Sequence, residues 1–202
     1  KGTATIHITK ATPIMALNDK TAQYSGQPIE MDGAEVTLVN GETYKGDINY
    51  TYYSDAEYQN RLDGAPINAG TYYVKASIPE QDNYYAAESN VATLTITKEN
   101  MEGIQATGFD APYDGKPHSI SVTGQPEGTT TQYYLGDYNI DNPNDSEWVD
   151  ENLEFTNVCN ETVSYKVTDP NGNYNEVKGT ATIHITKATP IMALNDKTAQ
   201  YS

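Results

Sequence analysis

Thr180-Ala181-Thr182-Ile183-His184-Ile185-Thr186 decides the fold of this chain. Its apolar residues, Ala181, Ile183 and Ile185, alternate with polar ones, which is the period of a strand with one face on a core and the other in water. The stretch Ala92-Thr93-Leu94-Thr95-Ile96-Thr97, 89 residues earlier, keeps the same alternation. A partner strand precedes each. Thr71–Ala76 turns Tyr72, Val74 and Ala76 inward, and Thr162–Val167 does the same with Val163, Tyr165 and Val167. Asp169-Pro170-Asn171-Gly172 supplies turn chemistry between the last two strands of the second set.

Working outward, the 89-residue spacing recurs: Tyr24-Ser25-Gly26-Gln27-Pro28 returns as Tyr113-Asp114-Gly115-Lys116-Pro117. Asn83-Tyr84 matches Asn173-Tyr174, and Tyr52-Tyr53 is matched with Tyr133-Tyr134. A longer period lies over this one. Residues Lys1–Ser25 recur without a change as Lys178–Ser202, a shift of 177. Packing demands no such identity, so its cause is recent duplication, and the chain reads as an excerpt of a tandem array. Residues 1–10 are then the closing strand of a truncated preceding module, 11–98 module A, 99–187 module B, and 188–202 the opening of a truncated next module A. Short linkers join the modules, with Pro13 and Pro190 stiffening the entry to A. The two orphan end segments are expected to be held against an exposed sheet edge.

Each module therefore reads as a small all-β domain, and the chain as two tandem antiparallel β-sandwich modules of Ig-like type. The 17 Tyr among 202 residues suit strands, where aromatic and β-branched side chains pack across a pleated surface. A β-grasp is the alternative. It needs a helix crossing the sheet, and module B offers none; in module A, Ser54-Asp55-Ala56-Glu57 has only the spacing of a capping box, which suits one or two helical turns or an ornamented loop equally. The net charge of −16 repels nucleic acid and anionic membranes, and keeps an array soluble and extended. No nucleic-acid partner and no membrane insertion are expected. A single cysteine, Cys159, excludes an intrachain disulfide.

Tyr-x-Gly-x-Pro, Asn68-Ala69-Gly70-Thr71-Tyr72-Tyr73-Val74, Asn83-Tyr84 and the closing Ala-Thr-Leu-Thr-Ile-Thr strand resemble bacterial Ig-like modules, more narrowly the MBG-type repeats of large cell-surface adhesins. Module B carries the same skeleton in Tyr113–Pro117, Thr156-Asn157-Val158 and Asn171-Gly172-Asn173-Tyr174, with Cys159 standing at the place of Gly70. The resemblance implies an extracellular, cell-wall-attached location and a role in stalks or adhesion. It implies no ligand and no chemistry.

The residues themselves point the same way. His184 falls on the polar face of its strand, where its counterpart is Thr95, and neither it nor its copy His7 has the ligand cluster that a metal needs. Cys159 reads as a small residue at a strand start rather than a reactive thiol. Asp137, Asn139 and Asp141 match the first ligand positions of an EF-hand, but Asn142 stands where the loop needs Gly and Trp148 where it needs Glu. Glu147, Asp150 and Glu151 pair as any abundant carboxylates would. Lys75 and Lys166 face outward, unlike the buried lysine of a self-formed Lys–Asn crosslink. No catalytic residue, metal or cofactor is assigned, and the chain is read as a non-enzyme. The one candidate binding surface is aromatic: Tyr133, Tyr134, Tyr138 and Trp148 flank the acidic insertion peculiar to module B, and such faces stack on sugar rings or peptide segments. The competing reading has the same rings packing in the sandwich. The functional expectation is a stalk or spacer whose partners are the neighbouring repeats of its own chain; the alternative is an adhesin module taking a host glycan or extracellular protein.

Overall fold

The computed structural model describes residues 2–39, 41–141, 147–194, 197 and 200–201. They divide into two compact units: Lys1–Asn100 with Asn171–Asn175, and Met101–Pro170 with Glu176–Ser202. The regular secondary structure of both is almost wholly strand.

Among the described residues the first unit has seven strands: β1 (Ile14–Ala16), β2 (Lys20–Gln23), β3 (Glu35–Thr37), β4 (Asn49–Tyr53), β5 (Gly70–Ile78), β6 (Ala87–Glu88) and β7 (Ala92–Thr97). β1 pairs with β3 in a small sheet, and the larger sheet runs β2-β7-β5-β4, with β6 beside the end of β5. The apolar halves of the alternating strands meet between the sheets. Met15 and Val36 come from the small sheet, and Tyr52, Val74, Ala76, Leu94 and Ile96 from the large one. Burying a side chain such as Leu94 or Val74 contributes roughly 1.5–3 kcal/mol, so a handful of these inward positions outweighs every surface pair described below.

The second unit repeats that plan with β8 (Gln105–Thr107), β9 (Phe109–Pro112), β10 (Ser121–Thr123), β11 (Thr130–Leu135), β12 (Cys159–Thr168) and β13 (Val177–Thr186). Here β8 pairs with β10, and the larger sheet runs β11-β12-β13-β9. The chain is thus all-β, two tandem Ig-like sandwich modules. The register repeats as well: Gly70 faces Ile96 in the first unit and Cys159 faces Ile185 in the second. Not every pairing is antiparallel, however. β2 runs parallel to β7, and β9 parallel to β13, because the opening strand crosses from the small sheet to the edge of the large one. Gly108 makes that crossing in the second unit; a Cβ there would overlap the Thr182 carbonyl. In the Tyr-x-Gly-x-Pro turns, Gly26 and Gly115 have φ of 72° and 79°, a left-handed conformation that favours glycine over residues with a Cβ.

Three details go beyond the sequence reading: one choice it left open is decided, and two expectations are corrected. The capping-box stretch forms no helix. Asp55 rather than Ser54 organises it, accepting from the backbone N–H groups of Glu57, Gln59 and Asn60 at 3.1, 3.1 and 2.6 Å. The helix among the described residues is instead α1 (Tyr138–Asp141) in the second unit, four residues long and unable to cross a sheet as a β-grasp requires. Second, Tyr52-Tyr53 does not correspond to Tyr133-Tyr134. Tyr50 faces Ala76 and Tyr133 faces Tyr165, which are equivalent positions of β5 and β12, so the match slips by two residues. Third, the end segments are not held against a sheet edge at residues 2–9 or 188–194. Residues 2–9 and 188–194 form no strand and are exposed, with Ile6, Ile8, Ile191 and Leu194 all at least 85% exposed. The reason is occupancy: Val177–Thr186 already fills the closing-strand position of the second unit, and Ile14–Ala16 with Lys20–Gln23 the opening positions of the first.

Candidate functional site

Strand alternation separates the four aromatic candidates. Tyr133 pairs with Tyr165 and shares its inward face, where burial raises its phenol pKa. Tyr134 pairs with Ser164 and so lies on the outer face of the sheet. The chain after β11 then folds back over that face. Gly136 N–H donates to Thr162 O at 2.8 Å, Ser164 Oγ donates to Gly136 O at 2.6 Å, and Tyr138 N–H donates to Ser164 Oγ at 3.0 Å. Asp137 accepts from Asn139 N–H at 3.0 Å, so at least part of this carboxylate's capacity serves the turn. Further on, Val149 exchanges two backbone hydrogen bonds with Tyr133, at 2.8 and 2.9 Å, which sets Trp148 beside the outer face.

The outcome is a compact cluster of Tyr134, Tyr138 and Trp148, with ring centroids 6.0 and 6.1 Å from the indole. Two lysines complete it. Lys166 Nζ lies 4.8 Å from the Trp148 ring centre, and Lys178 Nζ lies 5.7 Å from both Trp148 and Tyr138. Lys178 is also paired with Glu176 at 3.0 Å. Each ammonium sits against the electron-rich face of a ring, worth about 0.5–2 kcal/mol depending on exposure. Lys166 is buried and Ser164 is 0% exposed, although both project outward. The lysines could not be found from local sequence, because they reach the cluster from β12 and β13 and only strand pairing brings them there.

The first unit carries a simpler version. Tyr58, a non-glycine residue at φ 59°, places its ring 5.8 Å from Tyr53 and 6.0 Å from Tyr73. Lys75 Nζ lies 5.4 Å over the same ring and 3.9 Å from Glu88. Lys75 and Lys166 thus share a role as outward lysines seated on aromatic rings.

The remaining candidates are placed as follows. His184 faces Asp110 across the parallel β9–β13 pair, with Nδ1 2.9 Å from Oδ1; the same register position in the first unit holds Thr21 and Thr95. The pair borders an open groove of about 480 Å3 that Asn160, Thr180 and Thr182 also line. His118 stacks on Phe109 at 3.5 Å and lies 2.9 Å from Asp114, whose carboxyl is held below its usual value by that bond and by the Lys116 N–H. Cys159 is the half-buried first residue of β12, with its thiol 3.8 Å from Ile183 O. The EF-hand-like run extends into residues 142–146, outside the described residues. Among the described residues no three His, Cys, Asp or Glu side chains converge as a metal site, and no helix is long and apolar enough to cross a membrane.

No family model and no curated protein matches this chain. Solved structures similar to it include extracellular cadherin domains 3–6 of protocadherin gamma B2, at 10% identity and a TM-score of 0.32, covering 91% of this chain and 54% of that one. Immunoglobulin domains 1–5 of Sidekick-1 align at 13% identity and a TM-score of 0.26, over 86% of this chain and 41% of that one. Human CDH23 EC21-23 aligns at 13% identity and a TM-score of 0.29, over 85% and 63%. The chain spans about half the length of the first of these structures.

Proposed function

We propose that the chain is a non-catalytic structural repeat of a bacterial cell-surface protein, acting as a stalk or spacer in adhesion. The observation that carries this is the repetition of one strand order and one register at 89-residue spacing, overlaid by a 25-residue identity at a shift of 177. A duplicated sandwich adds length without needing to preserve any chemical site, and the charge of −16 opposes collapse of one repeat on another. On this reading residues 1–10 belong to a preceding module and 188–202 to a following one. The partners are then neighbouring repeats, and the setting is extracellular and cell-wall anchored. Small-angle scattering on chains of increasing repeat number tests it: the maximum dimension grows in proportion to repeat number if the array is a spacer, and a particle that stays compact overturns it.

A second reading is favoured by one observation, the gathering of Tyr134, Tyr138 and Trp148 on one face of the second unit. There the module takes a host glycan or extracellular protein through its insertion. Saturable binding on a glycan or matrix-protein array, lost in Trp148→Ala while the β-sheet circular dichroism persists, supports it. Unchanged binding in that variant removes it.

A further inference from the structure

The closing strands β7 and β13 hold equivalent positions, and the two units finish the far side of that strand differently. In the second unit Gly136 N–H donates to Thr162 O, so Thr162 turns its backbone polar groups toward β11 and away from β13. Across the β12–β13 pair Thr162 faces Thr182 and Ser164 faces Thr180. By the alternation of an antiparallel ladder, the N–H and C=O groups of Thr180 and Thr182 therefore point away from β12. Among the described residues no strand pairs with that side of β13 before Phe109 comes in opposite Ile183. The open groove of about 480 Å3 lies there, lined by Ala106, Gly108, Thr180 and Thr182 among others.

The first unit closes the same place with two side chains. Asp19 Oδ1 accepts from Thr93 N–H at 2.7 Å, just before the β2–β7 ladder starts at Lys20 and Leu94. Asn90 accepts from Leu17 N–H at 2.9 Å and donates to Leu17 O at 2.8 Å, as a strand backbone would. At the 89-residue spacing Thr93 becomes Thr182 and Leu17 becomes Ala106, but Asp19 becomes Gly108 and Asn90 becomes Gly179. Both capping side chains are gone, and the residues equivalent to those they served line a groove. We infer that this groove binds an extended peptide segment of another protein, which adds to the free edge of β13 at Thr180–Thr182. A strand edge with unpaired donors and acceptors takes an extended chain in this way. The first unit indicates the chemistry that fits: backbone amide groups, with an Asp or Asn side chain to meet the Thr182 N–H. Asp110 on the groove wall and the net charge of −16 disfavour a strongly acidic ligand, so the segment carries no net negative charge. His184 and Asn160 offer hydrogen bonds to its side chains at the end of the groove. The site shares no lining residue with the Trp148 cluster, and it stands or falls independently of the spacer role.

A blocked peptide with the sequence of residues 16–22, Ala-Leu-Asn-Asp-Lys-Thr-Ala, is the probe; it carries Asp19 and has no net charge. Amide exchange and NMR shifts of the full chain read its binding. In the free chain the Thr180 and Thr182 amides exchange fast, whereas Ala181, whose N–H points to Val163 on β12, is protected. With the peptide, the two threonine amides become protected and shift saturably. Thr180→Pro removes one edge donor that the β12 ladder does not use, so the fold persists by circular dichroism and by emission of Trp148, the single tryptophan. Binding to that variant falls by about tenfold or more. Thr180→Val keeps the N–H and leaves binding unchanged, and Asp19→Gly in the peptide weakens it. Threonine amides already protected in the free chain overturn the inference. So does the absence of a saturable shift with the peptide, or undiminished binding to folded Thr180→Pro. Dimers of the free chain that Thr180→Pro abolishes would assign the edge to a second copy and overturn it as well.

Discussion

The two units present the same sheet to solvent and finish its outer face differently. Along β5, buried residues alternate with half-exposed ones over Val74–Ile78, as a one-sided strand should. Along β12, all five residues from Val163 to Val167 are buried. The strands occupy equivalent positions in register, so the difference lies in what the neighbouring loop brings. In the first unit a loop capped by Asp55 lays one ring, Tyr58, on Tyr53, Tyr73 and Lys75. In the second, the longer insertion delivers Tyr138 and Trp148, and two lysines close over them. A sandwich of this size can thus gain a second, smaller packed layer without altering its strand order.

The comparison can be broken experimentally, most severely at the indole. Trp148→Ala removes the centre of the outer layer and is expected to destabilise the second unit by about 2–3 kcal/mol, below the range for a fully enclosed Trp because this ring is half-exposed. Urea unfolding followed by circular dichroism measures it; a loss confined to a few tenths would mean that the layer contributes no packing. Tyr58→Ala in the first unit is expected to cost about 1–2 kcal/mol, from two edge-to-face ring contacts and the buried area. Lys166→Met keeps the aliphatic stem and removes the charge, so the expected loss is about 1 kcal/mol, and it should shrink in the Trp148→Ala background because the two groups interact directly.

The smallest expected effects are electrostatic. Asp19 is held below the usual 3.8 by the Thr93 N–H, Asp55 by the N–H groups of Gln59, Asn60 and Glu57, and Asp114 by His118 and then Lys116 N–H. Depressed carboxyl values stabilise the folded state at pH above the unfolded value, and that contribution disappears as pH falls through the lower folded value. Both units should therefore lose stability in acid below about pH 4, the first at two of these carboxyls and the second at one. Proton-linked NMR titration of His118→Gln should show Asp114 moving back up toward 3.8; an unmoved value would detach His118 from its control. Asp55→Asn should flatten part of the acid dependence of the first unit.

Much of this was legible beforehand. The alternation in Ala181, Ile183 and Ile185 placed His184 on the outer side and the isoleucines in the core, because a period of two leaves no other choice once one face is buried. The outward direction of Lys75 and Lys166 followed from the same rule, but the burial of Lys166, which the sequence reading had set apart from a buried lysine, did not. Tyr133 and Tyr134 were harder. Adjacent residues on a strand lie on opposite faces, so the two could not share one surface, and pairing with Tyr165 and Ser164 makes Tyr133 the inward one and leaves Tyr134 with Tyr138 and Trp148. The helix followed a similar logic. Ser54-Asp55-Ala56-Glu57 matches a cap locally, yet Asp55 satisfies three backbone donors within a loop and leaves no helix to start.

By itself, then, the sequence determined the strands, their inward faces, the 89-residue spacing and the duplication, because each is a local period or an identity that needs no partner to be read. The tertiary structure decided the rest. Which loop covers which sheet face, and which lysine meets Trp148, depends on contacts between residues distant in the chain. The duplicated strand shows the distinction most plainly. Ile6 and Ile183 have the same neighbours in sequence, yet one stands in solvent and the other in the core. A strand's pattern states which face it would bury, and only an unfilled position between two other strands lets it do so.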